Sequence, residues 1–298
     1  MAYNAILFFC LFALKKSDIF SSEVFRMKRK IIAAGLIVSA VIVIIYCGLH
    51  IFQTMQERYL SKQEYVHTRE EYVSAIKEKG PNNKQENTQT ETDGFPDFSV
   101  DTESLLECNP DYVGWLYYKD AEINYPICQP KKEKEENKYL TTTFQGKSNP
   151  SGCIFIDRMS DSTFRSGNTF IYGHNMLNGA MFGTLKKVYQ NPEKCKDPYF
   201  YIWDKYGHIN KYRVIAAYIV NEDSSMYTFE DSDEGYDRYI KNALKLGPYT
   251  YIGFTKDENA AMKERKPIVT LSTCYGVAGT EKRLLIQGVE IAIKNIDE

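Results

Sequence analysis

The run Ile31 to Leu49, IIAAGLIVSAVIVIIYCGL, carries no charged side chain, and none follows it before residue 57. Wound as a helix, this run spans about 28 Å at ~1.5 Å per residue, close to the hydrocarbon thickness of a bilayer. Arg26, Lys28, Arg29 and Lys30 precede it. By the positive-inside rule that flank stays cytoplasmic, and everything beyond residue 56 lies outside the cytoplasm. No small-residue cleavage pattern follows the run, and Tyr46 stands before Cys47 where lipoprotein processing needs a small residue. An uncleaved single-pass anchor is therefore expected. Tyr3 to Leu14 is apolar but too short to span a membrane, whereas Met27 opens MKRKIIAAG, a basic segment running straight into the anchor. Residues 1–26 are accordingly read as an extension ahead of the true translation start at Met27.

The anchor with its basic flank occupies residues 27–52, and a stalk helix with a flexible linker occupies 53–94. Met55, Tyr59, Tyr65, Val66, Tyr72, Val73 and Ile76 mark a partial apolar stripe along the stalk. Gly80 to Gly94, GPNNKQENTQTETDG, has no large apolar side chain and cannot build a core. The folded domain then covers residues 95–298. Helical turns are predicted at Thr102–Leu106 and Pro110–Trp115, with Asn109 as a cap, and helices at Ala180–Tyr189 and Asp233–Lys245. Strands are predicted at Cys153–Asp157, Thr169–Tyr172, Tyr199–Asp204, Lys211–Val220, Ile268–Thr273 and Leu284–Ile293, with a hairpin turning near Tyr206-Gly207. Many short strands and few helices predict a mainly β domain, a closed or nearly closed barrel with peripheral helices.

Composition narrows the function. The 37 basic and 39 acidic residues nearly cancel, which disfavours a nucleic-acid binder. The seven cysteines form no CxxC pair, so neither a zinc site nor a thioredoxin-like motif is supported. Acidic residues are not clustered as a calcium site requires, and no metal or other cofactor is expected. Cys108, Cys128, Cys153 and Cys195 read as small buried side chains. His208 reads as a solvated turn residue, and Lys131–Lys138 as an exposed loop of mixed charge.

Chemistry concentrates in two places. In PIVTLSTCYGVAGTEKRLLIQGVEI, a strand rich in β-branched residues ends at Cys274 and another opens at Arg283, with Gly276 and Gly279 in the loop between. Strands joined in this way can set a thiol beside a guanidinium, and a nearby cation favours the nucleophilic thiolate. In NTFIYGHNM a strand runs into Gly173 and presents His174, an imidazole able to move protons at a neighbouring thiol. Period-two alternation puts Ser272 on the same strand face as Cys274, where its hydroxyl could support the site or serve structure alone. Papain-like cysteine hydrolases place their cysteine at a helix start, unlike Cys274.

Thr270-Leu271-Ser272-Thr273-Cys274, followed by an arginine opening the next strand, resembles the signature of sortases, and class B in particular. Ile171 to Met176 with Met181 to Leu185 is similar to the histidine region of that class. Asn109 to Leu116, Ile123 to Ile127 and Gly152 to Asp157 follow the family's order, and the helix near Asp233–Lys245 is similar to a class B elaboration. The resemblance covers about residue 98 to the end.

It implies an eight-stranded sortase-like barrel with the site at one end, preceded by a transmembrane helix. Cys274 would attack the carbonyl of a sorting signal and form a thioacyl enzyme. His174 would protonate the leaving amine and deprotonate the incoming one, and Arg283 would stabilise the oxyanion. The implied partners are surface proteins carrying a sorting pentapeptide, an amine of a cell-wall peptide or a pilin lysine, and the membrane of a Gram-positive-type envelope. A cell-wall cysteine hydrolase and a catalytically inactive barrel used as a binding module stay open as alternatives.

Overall fold

The computed structural model describes residues 2–75, 94–277 and 279–296. The chain divides into two compact units, Met1–Gln56 and Glu57–Glu298. Helix α1 (Ala2–Tyr72) supplies the first unit and enters the second. Its apolar side chains from Ile31 to Leu49 are exposed, and among the described residues this is the one helix long and apolar enough to cross a bilayer. Of the expected linker, residues 80–94, all but Gly94 lies outside the described residues.

The second unit starts well before residue 95, because the far end of α1 belongs to it. Tyr65 is buried; its hydroxyl donates to the Gly152 carbonyl (2.6 Å) and accepts from the Phe144 amide (3.2 Å). Ser61 and Thr68 on the same face are buried as well. From Tyr65 to Tyr72 the stripe that reads as a stalk is thus the docking face of a helix on the barrel, whereas Tyr59 before it is exposed. Beyond it, β1 (Val73–Ala75) pairs with β2 (Phe98–Val100) as an antiparallel ribbon, and α2 (Thr102–Cys108) follows with Asp101 as its N-cap.

Eight strands close the barrel: β3 (Tyr112–Tyr118), β4 (Ile123–Cys128), β5 (Ile154–Ile156), β6 (Asn168–Tyr172), β7 (Tyr199–Asp204), β8 (His208–Asn221), β9 (Ile268–Cys274) and β10 (Lys282–Asn295). Their spatial order is β10-β8-β7-β3-β4-β5-β6-β9, and β9 pairs with β10 to complete the ring. The β4–β5 and β6–β9 pairs are parallel and the others antiparallel. Closure leaves no barrel edge exposed to other chains. Aromatic residues pack both faces of the barrel wall: Phe200 stacks on Tyr212 at 5.0 Å on one face, and on the other the fully buried Trp203, opposite Trp115, stacks on Phe98 of β2 at 4.5 Å. Helices α3 (Lys186–Gln190), α4 (Asp233–Leu246) and α5 (Lys256–Lys263) lie at the periphery.

Several expected elements differ. Pro110–Trp115 enters β3 rather than a helical turn, because Asn109 is extended at the end of α2. Its side chain is buried, donating to the Phe144 carbonyl (2.8 Å) and accepting from the Asp111 amide (3.0 Å). The helix expected at Ala180–Tyr189 shortens to α3, since the chain before it folds back on itself around Gly183. Strand β4 and helix α5 carry no expectation, although Thr255 and Glu258 form a complete capping box for α5. His208 is half-buried, its Nδ1 3.1 Å from a carboxylate oxygen of the buried Asp204. Cys108 is exposed, whereas Cys128, Cys153 and Cys195 are buried as expected.

Glu258 does more than cap. It accepts from the Tyr199 hydroxyl (2.7 Å) and faces the fully buried Arg213, whose Nε lies 3.2 Å away as a charge contact. Arg213 Nη2 also donates to the Ile252 carbonyl (2.6 Å), so one guanidinium ties β8 to α5 and to the chain before it. Removing one partner of a buried pair leaves the other charge uncompensated, at a cost of about 3–5 kcal/mol. Glu258→Ala is expected to lower the urea unfolding free energy by roughly that amount; a loss below about 1 kcal/mol, the usual surface-pair range, would contradict a structural role for the pair.

Candidate active site

The site is assembled by the pairing of three strands. Strand β9 lies between β6, to which it is parallel, and β10, to which it is antiparallel. Arg283 on β10 is directly opposite Cys274 on β9. On the other side the β6–β9 register runs to Tyr172 opposite Ser272. The two chains stay joined beyond it: the Gly173 amide donates to the Ser272 carbonyl (3.2 Å), and the Thr273 hydroxyl donates to the Gly173 carbonyl (2.7 Å). His174 and Cys274 are the next residue on each chain. Sequence separations of 9 and 100 residues thus collapse onto neighbouring ends of three strands at one mouth of the barrel.

Local sequence makes this possible. A Cβ on Gly173 would stand 2.8 Å from the Phe182 ring, so the residue before the histidine must be glycine for the following loop to pack beneath it. That loop hangs from His174, whose carbonyl accepts from the amides of Met176 (3.1 Å) and Phe182 (3.0 Å). Between β9 and β10, Gly276 has φ +101°, a left-handed conformation suited to glycine, and the Tyr275 amide closes on the Lys282 carbonyl (2.9 Å).

Cys274 is exposed at the strand end, while Ser272 is buried at 3% exposure. The half-exposed His174 ring directs Nε2 at the Leu140 carbonyl, 2.8 Å away. A carbonyl oxygen can only accept, so Nε2 carries the proton in this arrangement and Nδ1 stays available. Arg283 donates through Nη1 to the Thr280 carbonyl (2.6 Å) and through Nη2 to Glu222. Among the described residues no hydrogen bond joins Cys274 to His174 or to Arg283. All three sequence-identified residues therefore share one mouth, with the imidazole and guanidinium engaged by neighbours.

Residues 117–291 match the sortase domain family model. The chain belongs to the sortase family. It is 30% identical to sortase B of Listeria monocytogenes over 188 residues, 62% of this chain and 71% of that protein. Over 263 residues it is 26% identical to sortase B of Staphylococcus aureus, covering 88% of this chain and 96% of that one. The solved complex of Staphylococcus aureus sortase B with its substrate superposes with a TM-score of 0.54 and 26% identity, covering 66% of this chain and 85% of that chain. Family and class agree with the resemblance carried by TLSTC and the histidine region, and the eight-stranded barrel is that of sortase B structures.

Beside the motif residues of this sortase stand two that carry no sequence signal. Glu222, just past β8, is held there by its amide donating to the Glu281 carbonyl (2.8 Å) and offers its carboxylate to Arg283. Tyr227, in a 3-10 turn before α4, shares a 2.7 Å hydrogen bond between its hydroxyl and that of Ser272. Burial pushes the Tyr227 phenol above its ordinary pKa; the Ser272 hydrogen bond and the Arg283 charge pull the other way. It stays a neutral phenol at physiological pH. Both residues lie in the stretch between β8 and β9, where no motif separates groove residues from ordinary loop positions.

Burial sorts the thiols of the barrel unit. Brief alkylation of the native protein followed by peptide mass mapping is expected to modify Cys274 and Cys108. Cys128, Cys153 and Cys195 should react only after denaturation. Equal native labelling of all five would contradict this packing.

Proposed function

We propose that the chain is a membrane-anchored cysteine transpeptidase. It would cleave a carboxy-terminal sorting signal and transfer the upstream protein to an amine. The observation that carries this reading is the direct pairing of Cys274 with Arg283 across β9 and β10, with His174 one residue past the last β6–β9 tie. The sequence relationship to sortases of class B and the substrate-bound Staphylococcus aureus relative support it.

The chemistry follows from the side chains. The Cys274 thiolate adds to the scissile carbonyl carbon, and the oxygen takes the developing negative charge. Arg283 meets that charge with its planar fork of N–H donors. As the carbon–nitrogen bond breaks, the leaving amine takes a proton from His174, leaving a thioester on Cys274. An incoming amine gives its proton back to His174 and attacks the thioester, restoring the thiolate. Arg283 must first exchange partners: its pair with the half-exposed Glu222 is worth only about 0–1 kcal/mol, so a substrate carbonyl in a drier site can displace it. Ser272 acts in this scheme by holding Tyr227 against the mouth of the site.

The apolar part of α1 serves as a single-pass anchor with its basic flank inside the cell. The barrel then faces the cell wall of a Gram-positive-type envelope, where surface proteins and a cell-wall peptide amine or pilin lysine are the partners.

Product analysis with a panel of sorting peptides, with and without triglycine, tests the reaction. Amine-dependent ligation is expected; hydrolysis alone would favour a cysteine hydrolase, and no turnover a binding module. In the same assay Arg283→Lys keeps the charge but loses the fork. It is expected to lower kcat about 100- to 1,000-fold, the usual cost of one oxyanion donor. A lysine variant within a few-fold of wild type would remove Arg283 from the mechanism.

A further inference from the structure

A cavity of about 520 Å³ lies between the barrel-docked part of α1 and the loop that leaves His174. Lys62 and Arg69 line one wall, seven residues apart and so on one helical face, with Tyr65 between them. Lys186 and Lys187, opening α3, line another. Lys187 is neutralised by Glu122 at 2.7 Å. Lys62, Arg69 and Lys186 have no carboxylate within ion-pairing distance among the described residues, so three uncompensated cations surround the space. Arg69 and Tyr125 line the cavity together.

Like charges gathered around a concave surface focus a positive potential and concentrate anions there. Arg69 adds a planar fork suited to a carboxylate or phosphate. The remaining wall is the loop through Leu177 and Asn178, suspended by two hydrogen bonds from the His174 carbonyl. The cavity therefore adjoins the histidine side of the site, where an amine acceptor must present its nitrogen.

We infer that this cavity binds the anionic part, carboxylate or phosphate, of the amine acceptor and so delivers the amine to His174. The inference rests on the transpeptidase reading. It adds that acceptor choice depends on charge and is exerted by residues outside the catalytic group.

The experiment uses the full chain in detergent with saturating sorting peptide. It compares triglycine with triglycinamide as acceptors, inorganic pyrophosphate as competitor, and the wild type with Arg69→Gln/Lys186→Gln. Calorimetric titration of pyrophosphate into both proteins reads the cavity without turnover. The wild type is expected to bind pyrophosphate, which competes with the acceptor while hydrolysis of the thioester continues unchanged. A preference for triglycine over triglycinamide would identify a carboxylate as the anion; equal use of both with pyrophosphate competition would identify a phosphate. The double variant is expected to lose about tenfold or more in pyrophosphate affinity and in kcat/KM for an anionic acceptor, the scale of a charge-assisted contact. Its thioester formation should stay within twofold of wild type. An unchanged variant, or pyrophosphate that binds without competing with the acceptor, would overturn the inference. Absence of peptide cleavage by the wild type would instead contradict the transpeptidase reading, with calorimetry still reporting whether the anion site exists.

Discussion

The two-sided pairing of β9 is the constraint on which the site depends. A strand alternates its side chains with period two, so a slip of one residue against either neighbour would send them to the opposite face. Antiparallel pairing with β10 sets Arg283 opposite Cys274, while parallel pairing with β6 stops one step short of His174 and Cys274. The Thr273 hydroxyl and Gly173 amide extend the second pairing past the last ladder pair. Closure of the barrel then holds all three strands in one ring, so the catalytic candidates are brought together by backbone hydrogen bonds instead of by contact with one another.

This explains why the site was legible in the sequence. A β-branched strand ending in cysteine, a strand opening with arginine and a strand ending in Gly-His are local patterns, and each places its residue at a strand end. The barrel ring then brings those ends to one mouth. Glu222 and Tyr227 were not legible, because their positions depend on how the chain between β8 and β9 crosses that mouth. The far end of α1 escaped for a related reason. Tyr65 is one tyrosine in a polar helix until Gly152 and Phe144, some eighty residues away, supply its hydrogen-bond partners. The segment Pro110–Trp115 shows the opposite error: Pro110 after Asn109 fits a helix start, yet the buried Asn109 side chain turns the chain into β3.

At the mouth the guanidinium and the imidazole both have partners. Arg283 is satisfied by Glu222 and the Thr280 carbonyl, and His174 by the Leu140 carbonyl. Each partner is a loop group or a half-exposed carboxylate, cheap to exchange where solvent screens the charge. Under the proposed function, substrate binding excludes that solvent and gives the guanidinium a better acceptor. The exposed thiol would need no comparable release.

Under the proposed function Cys274 carries the acyl group, and the mass of the trapped protein reads this without turnover. The full chain would be mixed with a cleavable sorting peptide in the absence of amine, quenched in acid and mapped by peptide mass spectrometry. The expected result is an added mass equal to the acyl fragment, located on the peptide containing Cys274 and released by hydroxylamine as a thioester must be. Peptide cleavage with the adduct on Cys108 or Cys153, or hydroxylamine-resistant attachment, would contradict it.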